Sequence, residues 1–92
     1  MPKILSLGFE FRDSHYSFLA RVKEKDNKTE YHITVMNGEL EKLLYGNHII
    51  LEINGQVQID PPIENNEQLQ LKLRIEEALI RHLQMYQSNH QA

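Results

Sequence analysis

The sequence predicts an α+β fold: an antiparallel sheet of about five strands, in the order β-β-β-α-β-β-α, with one face covered by a long C-terminal helix. Three observations predict it. Three runs within the first 36 residues alternate apolar and polar side chains, which is the period of a strand with one buried face. Short clusters of Asp, Asn, Ser and Gly separate the runs, as turns require. The stretch from about 64 to 87 changes to a helical period and is apolar around most of its circumference.

In the first run, Leu5, Leu7, Phe9 and Phe11 alternate with Ser6, Gly8, Glu10 and Arg12. In the second, Tyr16, Phe18, Ala20 and Val22 alternate with Ser17, Leu19, Arg21 and Lys23. In the third, Tyr31, Ile33 and Val35 alternate with His32, Thr34 and Met36. A two-residue loop at Asp13-Ser14 would set Phe11 against Tyr16, Phe9 against Phe18 and Leu7 against Ala20. A second such loop at Asp26-Asn27 would set Val22 against Tyr31, Ala20 against Ile33 and Phe18 against Val35. Both loops bring apolar residues together on one face, so a three-stranded meander over about 3–36 is expected.

Asn37-Gly38 ends the alternation. Residues 39–45 read as a short helix with Leu40, Leu43 and Leu44 on one side and Gly46 at the position that follows a helix C-terminus. A hairpin is expected over 47–59 around Asn54-Gly55. A plain two-residue turn there would set Leu51 against Gln58 and mix the faces. A three-residue loop with a bulge sets Leu51 against Val57 and Ile49 against Ile59, and is the version expected. Asp60-Pro61-Pro62 closes the sheet region, and a frayed tail is expected over 88–92. The whole of 1–92 reads as a single domain.

The C-terminal helix is wider in apolar surface than a helix lying on a sheet needs. At 100° per residue, Leu71, Ile75, Ala78, Leu79, His82 and Tyr86 form one stripe. Leu69, Leu73, Ile80 and Leu83 form another, and together they span roughly two-thirds of the circumference. Lys72 and Glu76 interrupt the arc. Two readings follow. Either the sheet and the short helix cover both stripes, or Leu69, Leu73, Glu76, Ile80 and Leu83 form an interface with a partner, most simply a second copy of the chain.

Composition bounds the chemistry. The chain has 92 residues, no cysteine, and 10 basic against 13 acidic residues, for a net charge of −3. Disulfides and thiolate metal sites are excluded, which favours a cytoplasmic location. A membrane segment of about 20 apolar residues is absent from the sequence. The acidic balance disfavours nucleic acid. Five histidines, His15, His32, His48, His82 and His90, lack metal-ligand spacing. Neighbouring carboxylates such as Glu39/Glu41 point apart on their helix. No catalytic residue, metal or cofactor is expected, and the chain reads as non-enzymatic.

Three functional readings remain. The first is a protein-interaction or adaptor domain, homodimeric through its C-terminal helix, with a small apolar patch of Leu19, Met36 and Ile50 on the polar face of the sheet. The second is a nucleic-acid-associated protein using Arg12, Arg21 and Lys23 on that face. The third is a ligand-binding or enzymatic domain with a pocket between sheet and helix near His82. In element order and acidic balance the chain looks like the core of the small acidic chaperones that hold secretion substrates. Those also carry an N-terminal helix that this element order lacks, and no motif accompanies the likeness.

Overall fold

The computed structural model describes residues 3–44, 46, 48–59 and 67–90, the side chains of 85–90 excepted. Tyr45, Asn47, the Asp60-Pro61-Pro62 stretch and the expected helix start at 63–66 lie outside the described residues, as does the side chain of Tyr86. Five strands, β1 (Lys3–Phe11), β2 (Ser14–Lys25), β3 (Lys28–Val35), β4 (Ile49–Ile53) and β5 (Gln56–Val57), form one sheet. They lie side by side in chain order, and each neighbouring pair is antiparallel. Helix α1 (Gly38–Leu44) joins β3 to β4, and α2 (Glu67–His90) follows the sheet. The helix continues through 88–90, so those residues of the expected frayed tail are helical.

The second hairpin has the expected register. Phe18 lies opposite Val35, Ala20 opposite Ile33 and Val22 opposite Tyr31. The first hairpin is shifted by two residues. Phe9 lies opposite Tyr16, Leu7 opposite Phe18 and Leu5 opposite Ala20, because Arg12-Asp13 makes the turn in place of Asp13-Ser14. Arg12 and Asp13 both have positive φ, 53° and 61°, as a tight hairpin loop of this hand demands. A shift of two leaves every side chain on its own face, so alternation alone does not detect it. Arg12 makes an ion pair with Glu67 at the start of α2, and its guanidinium lies 5.0 Å from the centre of the Phe11 ring.

The third hairpin corrects the expectation outright. Asn54-Gly55 makes a plain two-residue turn, with φ of 53° and 83°, and sets Glu52 against Val57 and Ile53 against Gln56. Strand β4 therefore has the opposite phase from the one expected. Ile50 faces the core and is only 2% exposed, while Ile49 and Ile53 face outward at 44% and 38%. The run Ile49-Ile50-Leu51 does not alternate, so hydrophobicity leaves its phase open. The turn settles it, because Asn and Gly tolerate positive φ at its two central positions. The inward Glu52 is accommodated because the Tyr31 hydroxyl donates a 2.7 Å hydrogen bond to its Oε1.

The core is the inner face of the sheet under the two helices. Phe9, Phe11, Phe18, Ala20, Tyr31, Ile33, Val35 and Ile50 pack with Leu40 and Leu44 of α1 and with Leu71, Ile75 and Leu79 of α2. Asn37 starts α1 by accepting the amides of Glu39 and Leu40 at 3.1 Å, the usual role of a residue at that position. Gly46, at φ 82°, follows the helix as expected. Glu41 straps α1 to the sheet: its Oε1 accepts the Val35 amide at 2.9 Å, and its Oε2 lies 3.3 Å from His48 Nε2. The two helices meet where Gln68 Nε2 donates to the Leu44 carbonyl at 2.6 Å, satisfying a helix-end acceptor.

Candidate functional site

The surfaces open to chemistry follow from one asymmetry. Both helices lie on the inner side of the sheet, and among the described residues no element covers the outer side. Along that outer face β1 presents Ile4, Ser6, Gly8 and Glu10; β2 presents His15, Ser17, Leu19, Arg21 and Lys23. Strand β3 presents Lys28, Glu30, His32 and Thr34, and β4 presents Ile49, Leu51 and Ile53. The register places Lys28, Glu30 and His32 directly beside Ile53, Leu51 and Ile49. An aliphatic ridge thus runs along β4, flanked by a mixed-charge row.

The residues singled out in the sequence separate. Ile50 is a core residue and leaves the expected patch; of its former companions, Met36 is 58% exposed and Leu19 is half-buried. The ridge of Ile49, Leu51 and Ile53 was missed because β4 was given the opposite phase. The Asn54-Gly55 turn carried a signal for it, but pairing apolar with apolar across the hairpin points to the opposite phase. On α2, Glu76 is 1% exposed within the single chain, which removes it from a surface interface. Leu69, Leu73, Ile80 and Leu83 are half-buried, and Leu83 packs against the core. Ile80 and Leu83 line a groove of about 350 Å³ shared with Glu52, Gly55, Gln56 and Val57. The wide apolar arc of α2 is thereby partly accounted for: Leu71, Ile75 and Leu79 lie on the sheet, and its flank leans toward the β4–β5 hairpin.

The basic trio also divides. Arg12 sits in a turn and reaches α2 through Glu67, so it does not share the outer face with Arg21 and Lys23. Glu30 dilutes that face further. Its carboxyl lies below the ordinary value, chiefly because the His32 side chain bonds it at 3.0 Å. His82 is half-buried on α2 and lines neither the groove beside Ile80 nor the larger groove beside β1. Among the described residues no three His, Asp or Glu side chains converge as a metal site would require. No described helix is long and apolar enough to cross a membrane.

Tyr31 is a strongly perturbed group. Burial, followed by its bond to the Glu52 carboxylate, pushes its hydroxyl well above the ordinary tyrosine value. The unfolded chain ionises this hydroxyl near pH 10, while the folded chain keeps the proton. The stability that the neutral hydroxyl supplies is complete below that pH and is lost as pH rises toward the folded value. Tyr31→Phe is expected to abolish the phenolate step above the ordinary tyrosine range in an ultraviolet titration. It is also expected to cost about 1.5–3 kcal/mol at pH 7, measured by urea denaturation, because a part-buried carboxylate loses its donor. An unchanged titration would contradict the buried Tyr31–Glu52 pair.

No protein family, no curated protein and no solved structure matches this chain.

Proposed function

We propose that this chain is a non-enzymatic protein-interaction domain that works as a homodimer. One observation carries the reading: among the described residues the sheet is covered on one side only, so its outer face, with the β4 ridge, and its long first strand are open to other chains. Ile4, Met36, Ile49 and Ile53 are all large apolar side chains more than a third exposed. Uncovered apolar surface rimmed by polar groups is what protein contacts use. The charged row beside the ridge, Lys28 next to Glu30, holds both signs, so it favours neither a strongly acidic nor a strongly basic partner. Homodimers with two-fold symmetry are the commonest assemblies of soluble chains. The flank of α2 is the weaker candidate contact, since Leu69, Leu73, Ile80 and Leu83 are already half-covered.

The test is molar mass by light scattering over a range of concentrations. The expected result is a rise from the 10.9 kDa of one chain toward twice that value. A constant 10.9 kDa at every concentration would overturn the homodimer.

A further inference from the structure

Strand β1 is the first strand of the sheet and, among the described residues, has a partner only on its β2 side. The pair Phe11↔Ser14 closes a two-residue loop, and such a closing pair is hydrogen-bonded. Phe11, Phe9, Leu7, Leu5 and Lys3 therefore direct their backbone groups to β2. The alternate residues Ile4, Ser6, Gly8 and Glu10 direct theirs to the open edge. The β2–β3 side agrees: the Met36 amide bonds the Ser17 carbonyl at 2.9 Å, so the odd-numbered residues of β2 face β3 and the even-numbered ones face β1.

Among the usual protections of an edge strand, this one has only charges, Lys3 at one end and Glu10 near the other. Its register runs unbroken from Lys3 to Phe11, with no proline and no bulge, and Lys3 at its end is its only charge on the inner side. Long edges of this kind are templates for pairing with another chain. Beside the edge lies a groove of about 490 Å³, between the Gly8–Asp13 stretch and the Arg74, Glu77, Ala78 and Arg81 side of α2. Its charges balance: Arg12, Arg74 and Arg81 stand against Glu10, Asp13 and Glu77. A strongly acidic or basic strand gains nothing there, and a near-neutral one fits. Strand β1, with Lys3 and Glu10, is such a strand.

We infer that two copies of this chain join antiparallel along β1, making one continuous ten-stranded sheet. This rests on the homodimer reading and specifies its interface. With the two-fold axis at Leu7, the full length of each strand overlaps. Ile4 then faces Glu10 of the second copy and Ser6 faces its Gly8. Counted from both copies there are four such pairs, each exchanging two backbone hydrogen bonds. The inner face is continuous across the junction, with Leu7 on Leu7 and Leu5 on Phe9. Leu5 and Leu7, half-buried in one copy, become covered. Lys3 of the second copy arrives opposite Phe11, near Asp13 and Glu77.

The discriminating variant is Ser6→Pro. It removes an amide that points to the open edge and leaves every bond to β2 intact, which is where a strand tolerates proline. Light scattering is expected to show a folded monomer at concentrations where the wild type is dimeric. Ile4→Lys/Glu10→Lys is the second variant. Both side chains are exposed in one copy, so folding is unaffected, while like charges meet at both ends of the junction; it is expected to dissociate equally. Either variant remaining a folded dimer of wild-type affinity overturns the edge pairing and leaves the homodimer standing. A wild type that stays monomeric throughout overturns both.

Discussion

Replacing Phe18 by alanine is expected to cost about 3–5 kcal/mol, the range for a fully buried phenylalanine. Phe18 is 0% exposed and lies between Leu7 of β1 and Val35 of β3. Its ring is 5.8 Å from that of Phe9, so the truncation removes an aromatic contact and opens a void at the centre of the three-stranded meander. A domain of this length has roughly 5–14 kcal/mol in all, so the loss is a large fraction of the total. Urea denaturation measures it as a fall in midpoint with an unchanged slope. A loss under about 1 kcal/mol would mean that the faces of β1, β2 and β3 are inverted.

The second large effect is a contrast between neighbours. Ile50→Glu is expected to cost more than about 4 kcal/mol and to leave the domain largely unfolded. It removes the burial of an aliphatic side chain, worth about 1.5–3 kcal/mol, and places a carboxylate in the apolar core beside Tyr31. Ile49→Glu, one residue earlier and facing outward, is expected to stay within about 0.5 kcal/mol of the wild type, as surface substitutions do. Circular dichroism and urea denaturation of the two variants separate them. The reverse order would turn β4 over and return Ile50 to the outer face.

Much of this fold was legible in the sequence because the hydrophobic effect writes it with period two. The inner residues of β1, β2 and β3, from Phe9 to Val35, were assigned to the correct face from alternation alone. Alternation says nothing about shifts of two, and so the partner of each β1 residue depended on which pair of residues turns. Arg12-Asp13 turns in place of Asp13-Ser14, and the period-two pattern fits both. In β4 the pattern itself was silent. Three consecutive aliphatics left the phase to the turn at Asn54-Gly55, and an inward Glu52 was unexpected until the hydroxyl of Tyr31, far away in sequence, stood next to it.

The candidate site was less legible for the same reason. With β4 misphased, Ile50 was placed in a surface patch and the ridge of Ile49, Leu51 and Ile53 went unseen. Glu76 looked like an interface residue because it breaks an apolar arc, and the tertiary fold buries it. The open edge of β1 could not be read at all, since it depends on strand order. That order is a property of the whole sheet and not of any one strand.

The measurement closest to the central claim is amide hydrogen exchange along β1, followed residue by residue by NMR at high and low protein concentration. Bonds to β2 protect Leu5, Leu7 and Phe9 in either state. Edge pairing predicts that Ile4, Ser6, Gly8 and Glu10 are protected at high concentration and lose that protection on dilution, so that the alternation along the strand emerges only in the monomer. Rapid exchange at these four residues while light scattering reports a dimer would contradict it.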